Sequence, residues 1–252
     1  MAVLETRGLT VRFGGHVAVD AVSCAFEPGT LTAIVGPNGA GKTTYFNLIS
    51  GQLKASAGAV VYRGEDVTRL GAARRSRLGI GRAFQLTNLF PNLSVLENVR
   101  LAVQARAAGR VDLLSMASRH FDLIERARHY LDRVALGDRA LSHAAELSHG
   151  DQRKLEVAIM LALEPEVFMF DEPTAGMSAD EVPVILDLIE AIKRQGDRTI
   201  LLVEHKMDVV RRLADRIVVL HNGALVADGD PSAVVAMPVV QEAYLGVRAR
   251  HG

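Results

Sequence analysis

The fold of this chain is organised around one stretch, Gly36-Pro37-Asn38-Gly39-Ala40-Gly41-Lys42-Thr43-Thr44. It fits the pattern G-x-x-x-x-G-K-[ST], in which a glycine-rich loop joins a strand to a helix and closes around phosphate. The apolar run at residues 31–35 predicts a buried parallel strand before the loop. Residues 45–50 predict a helix after it that ends at Gly51. This order favours a phosphate-binding loop over a glycine-rich turn that binds nothing.

The residue types in this stretch suit nucleotide binding. Backbone N–H groups at the start of the helix point at an anion, and the helix dipole favours negative charge there. We expect Lys42 to reach the β- and γ-phosphates and the Thr43 hydroxyl to ligate Mg²⁺. The candidate nucleotide-binding residues are Gly36, Pro37, Asn38, Gly39, Ala40, Gly41, Lys42, Thr43 and Thr44.

Composition limits the class of protein. The chain has 252 residues, 49% of them hydrophobic, which suffices for one sizeable core. Its 29 basic and 29 acidic residues give no net charge, so we expect no nucleic-acid partner. The basic cluster at residues 74–77 is interpreted as a solvated helix face. The single cysteine, Cys24, fits a reducing compartment and a core strand position.

Neither a membrane-spanning run nor a signal peptide is evident in the sequence. We therefore expect a cytosolic polypeptide that meets a membrane only through a partner.

Hydrophobic patterns predict an α/β fold with two additions. Strand patterns at residues 3–13 and 17–26, and a hairpin pattern at residues 58–67, predict an antiparallel β subdomain. Ala, Leu, Arg and Glu at helical spacing between residues 97 and 163 predict an inserted α-helical subdomain. Strand patterns return at residue 167, so the helical block interrupts the core.

The last third predicts a parallel sheet with an antiparallel edge. Residues 167–170 and 199–203 are strand-like and have a helix pattern between them, which is a βαβ unit. Asn222-Gly223 predicts a hairpin turn, and Pro231 predicts the start of a short helix. The core sheet is therefore expected to be mixed.

Two carboxylates follow the strand at residues 167–170. The carboxyl ends of parallel strands face the crevice where open α/β sheets bind ligands. Asp171 suits a Mg²⁺ ligand, and Glu172 suits a polariser of the attacking water. The alternative is an acidic pair that merely caps the strand end.

Two further polar residues are candidates for the same site. His205 follows the next strand, so it projects from the same sheet edge and could contact the γ-phosphate, although a lone histidine is usually structural. Gln85 lies at the junction of sheet and helical block, where an amide could touch Mg²⁺ or water. A surface glutamine is an equally good interpretation of Gln85.

The segment Leu147-Ser148-His149-Gly150-Asp151-Gln152 opens a helix. Ser148 and Gly150 at a helix N-terminus form an anion-binding arrangement, although an ordinary Ser148 cap explains the same residues. The segment lies in the helical block, with no evident reason to reach the chain's own phosphate loop. A second copy of the chain, or a relative, could supply it in trans.

As a set, these residues resemble the ATP-binding subunit of ATP-binding-cassette (ABC) transporters. The resemblance extends over nearly the whole chain, and the motifs stand in the family's order. They are aromatic Phe13, the Walker A loop from Gly36, Gln85, the signature from Leu147, the Walker B strand ending at Asp171, Glu172 and His205. Other P-loop classes lack the signature helix and the switch histidine.

The resemblance implies an ABC ATPase fold in one domain, 1–252. The nucleotide-binding core would comprise residues 1–84 and 165–252, and the helical signature subdomain would comprise residues 85–164.

The resemblance also assigns roles to single residues. Phe13 would stack on adenine, although a core strand aromatic is the alternative. Lys42, Gln85, Glu172 and His205 would act in hydrolysis, and Thr43, Gln85 and Asp171 would hold Mg²⁺. Two subunits would sandwich two ATP molecules, each meeting the other subunit's Ser148 and Gly150.

The subfamily resembled is that of the branched-chain amino acid importers, whose relatives also carry urea and short amides. The resemblance rests on the long helical insert and on residues 12–15, 83–85, 89–90, 171–177, 203–208 and 243–246. It implies membrane permease subunits, a second ATPase subunit and, indirectly, a periplasmic solute-binding protein. The subunit would be held peripherally at the cytoplasmic face of the membrane.

The chain departs from the family pattern at three places. His149 and Asp151 replace Gly and Gln of the usual signature, so the ribose-side contact that the resemblance implies for that Gln lacks its usual residue. Ser178 stands where the D-loop Asp is usual. The adenine-stacking aromatic is Phe13 rather than Tyr, which leaves stacking intact.

Three other functions are alternatives to this interpretation. A soluble ABC ATPase acting on nucleic acid or ribosomes usually has two cassettes or a coiled-coil insertion. This sequence shows one cassette and no such insertion, which disfavours that function. A P-loop phosphotransferase would need an acceptor pocket and would leave Ser148, Gly150 and His205 unexplained. A non-enzymatic partner is disfavoured by the intact Lys42, Asp171 and Glu172.

Overall fold

The computed structural model describes residues 1–83, 89–107 and 116–245. Contacts divide the chain into two compact units. The first comprises residues Met1–Ile80, Glu166–Glu172 and the chain from Ile192 onward, and the second comprises Gly81–Pro165 and Pro173–Ala191. The domain boundaries drawn from the sequence, including the single domain 1–252, stay a prediction.

The predicted strands and helices occur in the predicted order, and the structure adds a strand at Ile80–Ala83 and helices at Met207–Leu213 and Pro238–Leu245 that the patterns did not predict. The strands are β1 (Leu4–Phe13), β2 (His16–Phe26), β3 (Leu31–Val35), β4 (Ala57–Tyr62), β5 (Glu65–Asp66), β6 (Ile80–Ala83), β7 (Val167–Asp171), β8 (Thr199–Val203), β9 (Arg216–His221) and β10 (Ala224–Gly229). The helices are α1 (Lys42–Ser50), α2 (Ala72–Leu78), α3 (Val95–Ala107), α4 (Met116–Arg133), α5 (His149–Leu163), α6 (Val182–Arg194), α7 (Met207–Leu213), α8 (Pro231–Val235) and α9 (Pro238–Leu245).

An antiparallel sheet with the order β2-β1-β4-β5 confirms the predicted β subdomain. Leu4 is paired with Phe26 on one side and with Tyr62 on the other. Alternate side chains of these strands enter the core of the first unit, as expected for a sheet with one buried face. Cys24 is only 6% exposed, which confirms its predicted place in the core.

The second sheet is mixed and has the order β10-β9-β3-β8-β7-β6. β3 pairs in parallel with both β8 and β9, and β7 pairs in parallel with β8. β10 is the predicted antiparallel edge, joined to β9 by Asn222 and Gly223 with φ of 49° and 80°. The central strands β3, β7 and β8 are buried along their whole length, as the continuous apolar runs indicated.

The helical block is built from α3, α4 and α5, which pack on one another within the second unit. Within this block Ala127, Tyr130, Leu131 and Val134 are buried, and Leu123 is half-buried. In the described ranges, no helix is both long and apolar enough to cross a membrane.

The basic cluster at residues 74–77 is not uniformly solvated, so that interpretation was wrong for one residue. Arg75 is 1% exposed, whereas Arg74 and Arg77 are exposed. The Arg75 guanidinium donates to the carbonyls of Leu48 and Ile49 in the last turn of α1, at 2.7 and 2.6 Å. It therefore neutralises the C-terminal end of the helix that follows the phosphate loop.

Candidate nucleotide site

The phosphate loop lies between a buried strand and a helix, as predicted. α1 begins at Lys42, directly after Gly41, which has a φ of 96°. A Cβ added at Gly41 would overlap the carbonyl oxygen of Ala18, and one added at Gly36 would overlap that of Leu220. These two glycines are therefore required both by backbone conformation and by space.

Lys42 lies inside the loop. The side chain is 5% exposed, and its Nζ donates to the carbonyl oxygens of Gly36 at 2.8 Å and Pro37 at 2.9 Å. Burial lowers the pKa of Lys42, and the negative charges of Glu172 and Asp171 act in the opposite direction. The ammonium is thus held at the centre of the loop by backbone oxygens and has two carboxylates in its electrostatic field.

The remaining loop residues leave the mouth of the site open. Asn38 and Gly39 are exposed, Ala40 is buried, and the first turn of α1 carries exposed Thr43 and half-buried Thr44. The exposed Thr43 hydroxyl is therefore available to a ligand at this helix N-terminus.

Asp171 and Glu172 follow one another but differ in environment. Asp171 is the last residue of β7, opposite Val203 of β8, and is 7% exposed. Glu172 has a φ of 50°, in the left-handed region, and its N–H donates to the Val203 carbonyl oxygen at 2.9 Å. Such a conformation is costly for a glutamate, and strained residues of this kind cluster at active sites.

Glu172 meets His205 at this sheet edge. Glu172 Oε1 and His205 Nε2 are 2.6 Å apart, and both side chains are partly exposed. The parallel pairing of β7 and β8 brings the two strand ends side by side, which confirms the prediction that His205 projects from the same edge. The pair combines a carboxylate with an imidazole that can carry or release a proton.

Sequence reasoning missed the role of Glu204. This residue is 3% exposed, and its carboxylate accepts the backbone N–H of His205 at 2.6 Å and that of Lys206 at 3.3 Å. It therefore fixes the backbone turn that presents the His205 ring. An acidic residue directly before the histidine, at the end of an apolar strand, was the available signal.

Phe13 is the last residue of β1 and is 51% exposed. The alternative interpretation, a core strand aromatic, does not match this position. The exposed ring offers a face on which a base could stack.

The signature segment belongs to the second unit. Ser148 is the N-cap of α5, and its Oγ accepts the N–H of Asp151 at 3.1 Å. Asp151 also pairs with Lys154 at 2.8 Å, and Gly150 is buried in the first turn. The ordinary N-cap expected from the sequence is therefore present, and three N–H groups in this turn still lack an intrahelical partner by position.

The metal-binding candidates are Thr43, Asp171 and Gln85, of which Gln85 lies outside the described residues. Within the described ranges, no cluster of three or more His, Cys, Asp and Glu side chains could hold a metal ion by itself. One carboxylate and one hydroxyl fit Mg²⁺, because this ion usually takes few protein ligands and completes its shell with phosphate and water.

Comparison with known proteins decides the family. The family model for the ABC transporter matches residues 19–175, a segment that includes the phosphate loop, the signature and Glu172. The chain belongs to the ABC transporter family. A second model, for the branched-chain amino acid ATP-binding cassette transporter, matches residues 224–250.

Curated relatives of this ABC protein match nearly its whole length. It is 35% identical over 249 residues to LivG of Escherichia coli K12, covering 97% of this chain and 98% of that protein. It is 36% identical over 249 residues to BraF of Pseudomonas aeruginosa, with the same coverage. Both are named high-affinity branched-chain amino acid transport ATP-binding proteins.

Solved ABC cassettes share its fold. A nucleotide-free ATP-binding cassette from an ABC transporter is 30% identical, with a TM-score of 0.83 over 98% of this chain and 100% of that one. The ADP conformation of the cassette MJ1267 is 31% identical, with a TM-score of 0.82 and the same coverage. The ABC ATPase fold is thus confirmed, and the chain is an ATP-binding subunit that couples ATP hydrolysis to transport.

Proposed function

We propose that this ABC subunit drives the import of branched-chain or related amino acids. The names of the two relatives and the match at residues 224–250 support this cargo class. The hydrolytic role is supported by the distance of 2.6 Å between Glu172 Oε1 and His205 Nε2. This contact lies at the sheet edge where Asp171 is also found.

ATP binds, in this proposal, through the phosphate loop and Phe13. Lys42 neutralises the β- and γ-phosphates when its ammonium exchanges loop carbonyls for phosphate oxygens. The N–H groups of the loop and the α1 N-terminus surround the phosphates, and the exposed Phe13 ring stacks on adenine.

The Thr43 hydroxyl, the Asp171 carboxylate and Gln85 are the proposed Mg²⁺ ligands. The ion would neutralise charge that develops on the β- and γ-phosphates. The burial of Asp171 at the end of β7 holds its carboxylate in one place, which suits an electrostatic role in the site.

Glu172 orients or polarises the water that attacks the γ-phosphate, and His205 steadies the charge that develops there. Two features preset this geometry. The φ of 50° fixes the direction of the Glu172 side chain, and the Glu204 carboxylate fixes the backbone of His205. Preorganisation of this kind reduces the reorganisation needed at the moment of reaction.

A second ATPase subunit, identical or related, completes each site in this proposal. Ser148 and Gly150 at the N-terminus of α5 would meet the γ-phosphate bound to the other subunit. Closure of the two subunits on each other then depends on ATP, and the pair opens again when hydrolysis removes the γ-phosphate. The isolated subunit should bind ATP but hydrolyse it slowly.

Integral-membrane permease subunits hold the protein at the cytoplasmic face of the membrane, and a periplasmic solute-binding protein delivers the cargo to them. All described residues belong to one ABC ATPase domain, 1–252, in this proposal. The segment from Gln85 to Pro91 would receive the permease, so that closure of the ATPase pair changes the permease conformation.

Uptake of labelled leucine into vesicles that contain the permeases, the binding protein and this subunit tests the proposal. ATP-dependent uptake is expected with the unchanged subunit and should be lost with Glu172→Gln. Unchanged uptake without the subunit would contradict it. Co-purification with RNA or phosphate transfer to a small molecule would instead favour a rival function.

A further inference from the structure

A carboxylate lies against the signature glycine. A Cβ added at Gly150 would overlap both carboxylate oxygens of Glu181, so these oxygens contact the backbone of Gly150 directly. Gly150 is the second residue of α5, and both residues belong to the second compact unit. The end of α5 that attracts anions therefore has an anion of the chain's own beside it.

Ser178 holds this carboxylate in place. Glu181 Oε2 accepts the Ser178 N–H at 3.1 Å and the Ser178 hydroxyl at 3.0 Å, which leaves Oε1 nearest to Gly150. Ser178 is the position where the D-loop Asp is usual, so a carboxylate reaches this place from three residues later in the chain.

A simple helix cap does not account for the whole arrangement. The Glu181 N–H donates to the Ser178 carbonyl oxygen at 3.1 Å, and its carboxylate accepts the Ser178 N–H, so the two residues also close the turn before α6. Such a cap needs only the hydrogen bonds to Ser178. The contact with Gly150 is additional, and a larger residue at position 150 would require the Glu181 carboxylate to move.

We propose that Glu181 is a positioning residue that occupies the anion-binding end of α5 in the free subunit and withdraws when the other subunit's ATP arrives. This inference rests on the proposed role of Ser148 and Gly150 in trans. Closure then requires the γ-phosphate to displace a like charge from a helix N-terminus, and the repulsion opposes closure.

Other charged side chains in the first turns of α5 are paired within the helix, so Glu181 is the charge that the inference concerns. Asp151 in the same turn of α5 is paired with Lys154, and Arg153 is paired with Glu156. Asp180 is exposed and carries the same charge one residue before Glu181. It is a matched control, because it shares the segment and the net-charge change, whereas the atoms nearest to a Cβ at Gly150 all belong to Glu181.

The test measures the ATP concentration at which the protein becomes dimeric, by light scattering, in a Glu172→Gln background that prevents turnover. Adding Glu181→Gln should lower the midpoint about tenfold, because the amide keeps the shape and removes the charge. Adding Asp180→Asn should leave the midpoint unchanged. ADP should produce no dimer with any variant.

A second variant keeps the inference testable if Glu181→Gln does not fold. Ser178→Ala removes one hydrogen bond that holds the carboxylate and should lower the midpoint in the same direction, by a smaller factor. With Glu172 intact, Glu181→Gln should lower KM for ATP and leave kcat nearly unchanged. A purely structural cap would instead reduce the folded fraction without that split.

The outcomes separate the two proposals. If Glu172→Gln alone forms no dimer with ATP, the proposed function fails. If it does form a dimer, an unchanged or higher midpoint with Glu181→Gln overturns the inference. An equal shift with Asp180→Asn also overturns it, because the effect would then be one of general charge.

Discussion

Glu172 Oε1 lies 2.6 Å from His205 Nε2, although the two residues are 33 positions apart in the sequence. The parallel pairing of β7 and β8 makes this contact, and the Glu204 carboxylate fixes the backbone on its histidine side. A carboxylate and an imidazole in direct contact, both partly exposed, can act together on a water molecule.

Glu172→Gln should abolish most turnover and retain ATP binding. The amide cannot accept a proton or polarise water as a carboxylate does, and we expect a loss of about 100-fold or more in kcat. Phosphate release and equilibrium nucleotide binding measure the two effects separately. Glu65→Gln, an exposed glutamate of β5, is the control. Steady-state hydrolysis at the normal rate would refute the role given to Glu172.

Glu172→Gln and His205→Ala should be strongly non-additive. Because the two side chains touch, the loss in kcat for the double variant should be close to that for the worse single variant. A double-mutant cycle on kcat gives the coupling. Additive losses would show that the residues act independently.

Lys42→Ala should weaken ATP binding by about tenfold or more, because charge-assisted hydrogen bonds to phosphate are lost. Fluorescent-nucleotide titration measures the affinity. Lys54→Ala removes an exposed lysine shortly after α1 and should bind ATP normally. Unchanged affinity in the Lys42 variant would mean that the loop does not bind phosphate.

Phe13→Ala should lower ATP affinity by about tenfold, in line with about 1–3 kcal/mol for one base stacked on an aromatic ring. Phe13→Tyr should restore it, since the ring face is kept. The free energy of unfolding should change little in either variant, because the ring is half exposed. Equal affinity of the Ala variant and the parent chain would remove Phe13 from the site.

Arg75→Met should lower the free energy of unfolding by about 3 kcal/mol or more, because buried carbonyl groups lose a charged donor. Burial lowers the pKa of Arg75 to about 10, so it is still charged at neutral pH. Urea unfolding measures the change, and Arg74→Met on the same helix is the exposed control. Equal stability of the two variants would contradict the role assigned to Arg75.

The predicted positions of the loop and of the strand ends agree with the structure, because local pattern governs them. The loop from Gly36 to Lys42 needs glycines with positive φ, a strand before it and a helix after it. All of these requirements are met by residues within one short stretch of sequence. Asp171 and His205 were predicted at one sheet edge because parallel strands end on the same side.

Single side chains that depend on distant partners were not predicted. Arg75 resembled its exposed neighbours because a basic helix face gives no sign of which arginine will meet the carbonyls of another helix. The contact of Glu181 with Gly150 was missed for the same reason, since the residues come from separate segments.

The sequence by itself determined the α/β class, the phosphate loop, the order of most strands and helices and the family motifs, because hydrophobic period and glycine conformation are local properties. Only the tertiary structure decided which charged groups meet. Strand register placed Glu172 against His205, helix packing buried Arg75, and the turn before α6 set Glu181 against α5. These contacts depend on the relative position of segments far apart in the chain, which no local pattern specifies.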